Sequence, residues 1–147
     1  MAEIHHIEID VEKCSHCMKC MLVCSAQHEG LFNPRLARLK VEEDYIKGRL
    51  PNTYCRQCPS PAPCEEVCPT EAISRNPETG ALVVNEEECT ACGDCIDACP
   101  YNPGVIWLHP TKRVAIKCDL CDGDPQCVTY CPRDAVTLKK VILKEVA

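Results

Sequence analysis

Sixteen cysteines fall into four groups of four, and none is left over. The groups are Cys14, Cys17, Cys20 and Cys24; Cys55, Cys58, Cys64 and Cys68; Cys89, Cys92, Cys95 and Cys99; and Cys118, Cys121, Cys127 and Cys131. Three chemistries use thiols at this density: disulfide scaffolding, zinc ligation and iron–sulfur ligation. Disulfide frameworks staple distant loops of short secreted chains, whereas these cysteines sit in close runs. Zinc draws two separated C-x2-C pairs, or cysteine mixed with histidine, around one tetrahedral ion. The first and third groups instead read C-x2-C-x2-C-x3-C, the run that ligates [4Fe–4S] cubanes. In that run three sulfurs from one tightly turned segment reach one cluster, and the fourth, on the next helical turn, serves another.

The second and fourth groups have the form C-x2-C-x5-C-x3-C, with inserts at Pro59–Pro63 and Asp122–Gln126. The two forms alternate, so the chain carries an internal repeat of about 65–75 residues with two motifs in each copy. Pro69, Pro100 and Pro132 each follow the last cysteine of a group. A proline there ends the helical turn, because it has no N–H to donate and pushes its predecessor out of the helical region. Ser25 follows Cys24 instead, so a helix is expected to continue through about Gln27 or His28.

The remaining elements are short. Strands are expected at Ile7–Val11, Val105–Leu108, Arg113–Lys117 and Ala135–Leu138, and a hairpin joins Ala72–Arg75 to Ala81–Asn85 across Asn76-Pro77-Glu78-Thr79-Gly80. Single-turn helices are expected at Glu65–Cys68, Cys95–Cys99 and Cys127–Cys131. Residues 25–54 form the longest linker, with Arg35, Arg38, Lys40, Lys47 and Arg49 among Leu and Val. It reads equally as a docking surface or as an amphipathic strand with solvated charges. The tail, Lys139–Ala147, reads as a packed strand. The expected fold class is small α+β, short hairpins and single-turn helices wrapped around inorganic cores.

With one Phe, one Trp and four Tyr in 147 residues, a large aromatic core is excluded, and metal ligation must supply folding free energy in its place. Four oxidised clusters at about −2 each would take the formal charge of −6 to about −14. Such a chain lacks the basic footprint of a nucleic-acid binder, and no stretch is long enough to span a membrane. No apolar run near the N-terminus suits a signal peptide, and sixteen reduced thiols suit a reducing, anaerobic setting, so a cytoplasmic location is expected, with export on a partner's signal as the other route.

Other residues carry less. His16 and His28 could replace a cysteine as an iron ligand, but the thiolate count is already complete; His5, His6 and His109 form no ligand constellation. Trp107 reads as packing, and Gly93 and Gly123 as relief of backbone crowding against a cluster. Asp119, Asp122 and Asp124 would lower a nearby potential if poorly screened, and otherwise build turns. No phosphate-binding or dinucleotide fingerprint and no catalytic triad is present.

Cys55-Arg56-Gln57-Cys58 with Pro61 before Cys64, then Cys68-Pro69-Thr70-Glu71-Ala72-Ile73, resembles the second motif of the four-cluster ferredoxin-type electron-transfer subunits. Lys117-Cys118-Asp119-Leu120-Cys121 resembles the fourth. These are the iron–sulfur subunits of dimethyl sulfoxide reductase, formate dehydrogenase, hydrogenase, carbon monoxide dehydrogenase and aldehyde oxidoreductase complexes, and the resemblance covers residues 5 to about 138. It implies a duplicated bacterial ferredoxin-like fold in one chain, with an inner module at 50–110 and an outer module at 1–30 plus 111–147. It also implies four [4Fe–4S] clusters with nested ligands: Cys55, Cys58, Cys64 and Cys99; Cys89, Cys92, Cys95 and Cys68; Cys14, Cys17, Cys20 and Cys131; Cys118, Cys121, Cys127 and Cys24. Consecutive pairing, first group with second and third with fourth, stays open. The resemblance further implies a non-catalytic subunit that passes single electrons between a catalytic oxidoreductase subunit, molybdenum or tungsten enzymes first, and a second redox carrier; a free polyferredoxin is the alternative. Reconstituted protein should hold about 16 irons per chain, four for each cubane, and iron-free protein should show no cooperative melt and no native near-UV signal.

Overall fold

The computed structural model describes residues 2–41, 43–44, 46–49 and 52–143. Its longest sheet joins the two ends of the chain: β1 (Ala2–Ile9) runs antiparallel to β8 (Val136–Leu143), with Ile7 opposite Leu138 and Ile9 opposite Val136. β1 begins earlier than its alternating pattern suggested and stops at Ile9. Asp10 ends it, because its backbone carbonyl accepts from the N–H groups of Lys13 and Cys14 and its side chain accepts from that of Glu12 (2.9 Å). The tail's strand is present to Leu143, and the last four positions lie outside the described residues.

The other strands form small antiparallel hairpins. β4 (Ile73–Arg75) pairs with β5 (Leu82–Val84), as the turn signal between them predicts, and β6 (Trp107–Leu108) pairs with β7 (Ala115–Ile116) over a shorter length than expected. That last pairing spans the expected module division at 110/111. In the long linker, β2 (Glu43–Asp44) pairs with β3 (Gly48–Arg49), and Lys40 bridges to Thr53. Ala37, Leu39 and Val41 are buried and Arg38 and Lys40 alternate with them, but the charges are not left to water: Arg38 Nη1 meets Asp119 and the Lys117 carbonyl, and Lys40 Nζ donates to the Pro34 and Arg35 carbonyls. The same linker exposes Leu31, Phe32 and Ile46.

The helices follow the prolines. α2 (Pro63–Val67), α3 (Asp94–Ala98) and α4 (Gln126–Tyr130) are five residues each, and each stops one residue short of the expected end. Cys68, Cys99 and Cys131, which precede the prolines, have extended backbone with ψ of 114–118°. α1 (Lys19–Glu29) passes straight through Cys24 and ends on Gly30, whose left-handed backbone (φ 72°) lets its N–H reach the Ala26 carbonyl at 3.0 Å. Ser25 is buried inside this helix; its Oγ donates to Leu22 O (2.9 Å) and accepts from the Asn33 N–H (3.0 Å).

α1 packs against α4 and α2 against α3, and two cores result. One holds Ile7, Met21, Leu39, Val41, Leu120 and Val136 with the thiols of Cys20, Cys24 and Cys127. The other holds Ala62, Ile73, Leu82, Val105, Ile106 and Ala115 with Cys55, Cys64 and Cys95. Cys118 packs against both. Among the described residues no helix is long and apolar enough to cross a membrane. Ser25→Pro should end α1 at Cys24 and cost about 3 kcal/mol, read as a lower denaturation midpoint of the anaerobic holo-protein.

Candidate metal centres

Each C-x2-C turn is built the same way. The residue just before the second cysteine has left-handed backbone in all four groups: His16 (φ 56°), Gln57 (φ 50°), Ala91 (φ 57°) and Leu120 (φ 58°). The residue just after it is also left-handed in three: Met18 (φ 61°), Gly93 (φ 87°) and Asp122 (φ 57°). For a non-glycine residue that conformation costs about 1–2 kcal/mol. It turns successive N–H groups inward, which makes a concavity suited to anionic sulfur. Gly93 meets this backbone demand at a site where no atom beyond its chain neighbours lies within 4 Å of a built Cβ.

The fold then brings a fourth thiol to each turn. Cys14, Cys17, Cys20 and Cys131 line one cavity. Cys55, Cys58, Cys64 and Cys99 line a second, and Cys68, Cys89, Cys92 and Cys95 a third. Cys24, Cys118, Cys121 and Cys127 lie close enough for the other three to push the Cys127 thiol up, after burial itself. All sixteen thiols are free of disulfides. Two cysteines, Cys17 and Cys92, are exposed, and they belong to different quartets.

Burial pushes the thiols up, Cys20 and Cys118 to about 12 and Cys64, Cys95 and Cys121 to about 11, with neighbouring cysteines adding to the shift. Four sulfurs in one apolar cavity cannot all ionise without a cation among them, and a metal core supplies it. The outlying cysteines are prepared differently. The N–H of Arg38 donates to Cys24 Sγ (3.2 Å), that of Ala72 to Cys68 Sγ (3.3 Å) and that of Ala135 to Cys131 Sγ (3.3 Å). Burial raises Cys68 and Cys131, but these and neighbouring donors outweigh it and hold both below the ordinary thiol value. Gln57 N–H to Cys55 Sγ (3.4 Å) and Ala115 N–H to Cys89 Sγ (3.3 Å) repeat the pattern. Thiols gathered in fours, most of them buried or half-buried and each set met by at least one backbone N–H donor, fit an iron–sulfur core.

Residues 49–141 match the 4Fe-4S dicluster domain and residues 11–27 the 4Fe-4S binding domain. The chain belongs to the 4Fe-4S dicluster family. It is an iron–sulfur protein with thiols for four [4Fe–4S] clusters. It is 44% identical over 85% of its length to the aliphatic sulfonate oxidoreductase polyferredoxin-like subunit of Pyrococcus furiosus, covering 70% of that protein. It is 34% identical over 87% of its length to NrfC of Escherichia coli, of which it spans 61%. It is 35% identical over 86% to the electron transport protein HydN of Escherichia coli, covering 83% of it. A chain of the active site complex BamBC of benzoyl coenzyme A reductase shares the fold at TM-score 0.57 and 24% identity, over 99% of this chain and 80% of that one.

Both histidines near the first group face a carboxylate, His16 Nδ1 lying 3.6 Å from Glu43 Oε1. His28 Nδ1 donates to the Cys24 carbonyl (2.9 Å) and Nε2 to Asp119 Oδ1 (2.8 Å), so neither ring nitrogen keeps a lone pair for iron. The His28, Asp119 and Cys121 ligand atoms lie within 4.8 Å of one another, a proximity this ion pair explains. Asp119 also meets Arg38 Nη1 (3.3 Å) and accepts from the Cys121 N–H (2.9 Å), so its charge is screened, whereas Asp122 and Asp124 are exposed. Two residues of the second and fourth motifs have a place that the motif strings do not reveal. Gln57 and Lys117 are buried beside the thiols, and only their place inside the motifs could have flagged them.

Burial pushes His28 down, but its bond to the Asp119 carboxylate wins and lifts it to about 10. Burial pushes Asp119 up, but His28 and Arg38 hold it at about 2. The pair's contribution is complete between about pH 4 and 6.5, the ordinary carboxylate and imidazole values. It falls in alkali as His28 loses its proton near about 10, and in acid as Asp119 gains one near about 2. Asp119→Asn should cost about 1–3 kcal/mol near pH 6, and denaturation midpoints against pH should show the gap to the parent closing above about pH 9.

Proposed function

We propose that each quartet holds one [4Fe–4S] cluster and that the four form a path for single electrons, in a chain that serves as the non-catalytic relay subunit of an oxidoreductase complex. The observation that carries it is that each site takes three thiols from one group and its fourth from a distant one. The ligands are then Cys14, Cys17, Cys20 and Cys131; Cys55, Cys58, Cys64 and Cys99; Cys68, Cys89, Cys92 and Cys95; and Cys24, Cys118, Cys121 and Cys127. A bound cluster accepts or gives up one electron at a potential set by burial, charge and hydrogen bonds to its sulfurs. The nested pairing makes two ferredoxin-like modules, an inner one around α2 and α3 and an outer one around α1 and α4, which supports descent by duplication.

We read the order of the sites from their packing and electrostatics, the thiols of the second and third groups sharing one core. Cys118 packs against both cores, and Cys55 is the thiol that bears on it most. Cys127 in turn feels Cys20. The path thus runs from the third group's site through the second and fourth to the first, and its two ends are the sites with an exposed cysteine, Cys92 and Cys17. Two exposed ends suit a wire with a carrier at each, which favours a subunit over a single-docking diffusible ferredoxin. The oxidoreductase subunit among the relatives supports a catalytic partner. Within that class a molybdenum or tungsten enzyme, such as an aldehyde or formate oxidoreductase, is the first choice, and hydrogenase or carbon monoxide dehydrogenase the next. The chain's own residues bind, orient and insulate the clusters; no triad or dinucleotide fingerprint adds chemistry of its own.

Cys24→Ser should alter the paramagnetic signature of the cluster held by Cys118, Cys121 and Cys127, and Cys131→Ser that of the cluster held by Cys14, Cys17 and Cys20. Perturbation of the second group's cluster by Cys24→Ser would overturn the ligand map. Anaerobic purification at native expression should yield a stoichiometric complex, and an active monomeric carrier would sink the subunit role.

A further inference from the structure

Lys117 is 1% exposed, in the core of a chain whose net charge is already negative. Its Nζ donates to the carbonyl oxygens of Leu82 and Cys118, the latter at 2.8 Å. Among the described residues no carboxylate lies within ion-pair distance of it. Other cations differ in this respect: Arg38 meets Asp119 and Lys112 meets Glu29. Two neutral carbonyls do not compensate a buried ammonium, and a charge taken out of water without an opposite charge is strongly unfavourable.

The position of Lys117 supplies the missing anion. It lines the same cavity as Cys55, Cys58, Cys64 and Cys99, and it bonds the backbone of Cys118 in the adjoining quartet. Among the influences that offset burial at the Cys64 thiol, it is the largest. Gln57, 0% exposed, holds the same pieces: Nε2 donates to Cys118 O (2.9 Å) and Oε1 accepts from the Leu82 N–H (2.8 Å). The backbone of Leu82 is thus held at both of its polar groups, its N–H by Gln57 and its carbonyl by Lys117. The ammonium is fixed where the two halves of the molecule meet.

We propose that Lys117 is a positioning residue that acts as the built-in counter-cation of the two middle sites of the relay, that of Cys55, Cys58, Cys64 and Cys99 and that of Cys24, Cys118, Cys121 and Cys127, raising the reduction potentials of both and keeping them close together. This rests on the relay reading and its ligand map. Reduction adds an electron to an already anionic site, and a fixed cation favours the reduced form; the low polarity of the core strengthens the effect. Held between two sites, one charge acts on both couples, so neither becomes a trap for the electron. The end sites, with Cys17 and Cys92 exposed, are screened by water and feel it little.

The test is an anaerobic redox titration followed by paramagnetic resonance, with iron counted in the same samples, on Lys117→Gln, Lys117→Met and Lys117→Arg in the full chain. Signals are assigned to sites with the Cys24→Ser and Cys99→Ser variants. With full iron, the Gln and Met variants should reduce two of the four clusters with a constant lowered by about tenfold, which is about 59 mV for one electron. The two end clusters should stay in place, and Lys117→Arg should track the parent. Unmoved potentials in an iron-replete Gln or Met variant would overturn the proposal, as would an equal shift of all four. If neither neutral variant assembles its clusters, Lys117→Arg should still do so; its failure too would make shape, not charge, decisive. Iron content and the cysteine-variant signatures in protein that keeps Lys117 test the relay reading separately.

Discussion

Every part of this fold answers to one electrostatic constraint: groups of four thiolates must be held together out of water. Negative charge gathered at that density in an apolar cavity is untenable without a cationic core, and burial, with neighbouring thiols adding to it, drives Cys20 and Cys118 far above the ordinary thiol range. The same constraint explains why so small a set of aromatics suffices. Sulfur and metal stand where a larger domain would place Phe and Leu, and the apolar residues present, such as Ile7, Met21 and Leu82, fill the gaps between sites. It also explains the backbone. Left-handed residues such as His16, Gln57, Ala91 and Leu120 would be costly in an ordinary loop, and they occur here because inward N–H groups are what sulfur needs.

The two halves repeat one plan with a break in each, and the breaks organise the centre. At Cys68 and Cys131, proline ends the helix and an N–H four residues on turns back to the sulfur. At Cys24, Ser25 lets α1 continue, so the donor must come from elsewhere, and Arg38 in the long linker supplies it. That linker also brings the Arg38 side chain to Asp119 and the Lys117 carbonyl, tying it to the fourth group. At Cys99, Asn102 substitutes for the turn: its side chain donates to Ile96 O and accepts from the N–H groups of Val105 and Ile106. The junction between halves is therefore polar at its backbone but holds a cation at its heart.

Much of this was readable in the chain. Cysteine spacing named the cofactor because three sulfurs on one tight turn can reach one cubane and few other things. Pro69, Pro100 and Pro132 placed three helix ends to within one residue, since a proline constrains its predecessor locally. The hairpin at 72–85 was legible because turn chemistry and alternation agreed. The left-handed turns were not, because His16, Met18 and Ala91 carry no preference for that conformation; the site imposes it. The pairing of β1 with β8 was equally hidden, being an agreement between two segments at opposite ends of the chain.

Composition and local spacing thus determined what is bound, how many sites there are and where the short helices stop, because those follow from covalent chemistry and from steric rules that act within a few residues. Which thiols are gathered into each quartet, which quartets adjoin and which charges lie between them were decided only by tertiary structure. Antiparallel pairing of the two ends carries Cys131 to the first group, and helix packing carries Cys99 to the second. In the sequence Lys117 is the first residue of the Lys117-Cys118-Asp119-Leu120-Cys121 string, with nothing to set it apart from a solvated lysine. Its meaning depends on being buried at the meeting of two sites with no carboxylate among the described residues within ion-pair distance, and no local rule specifies that.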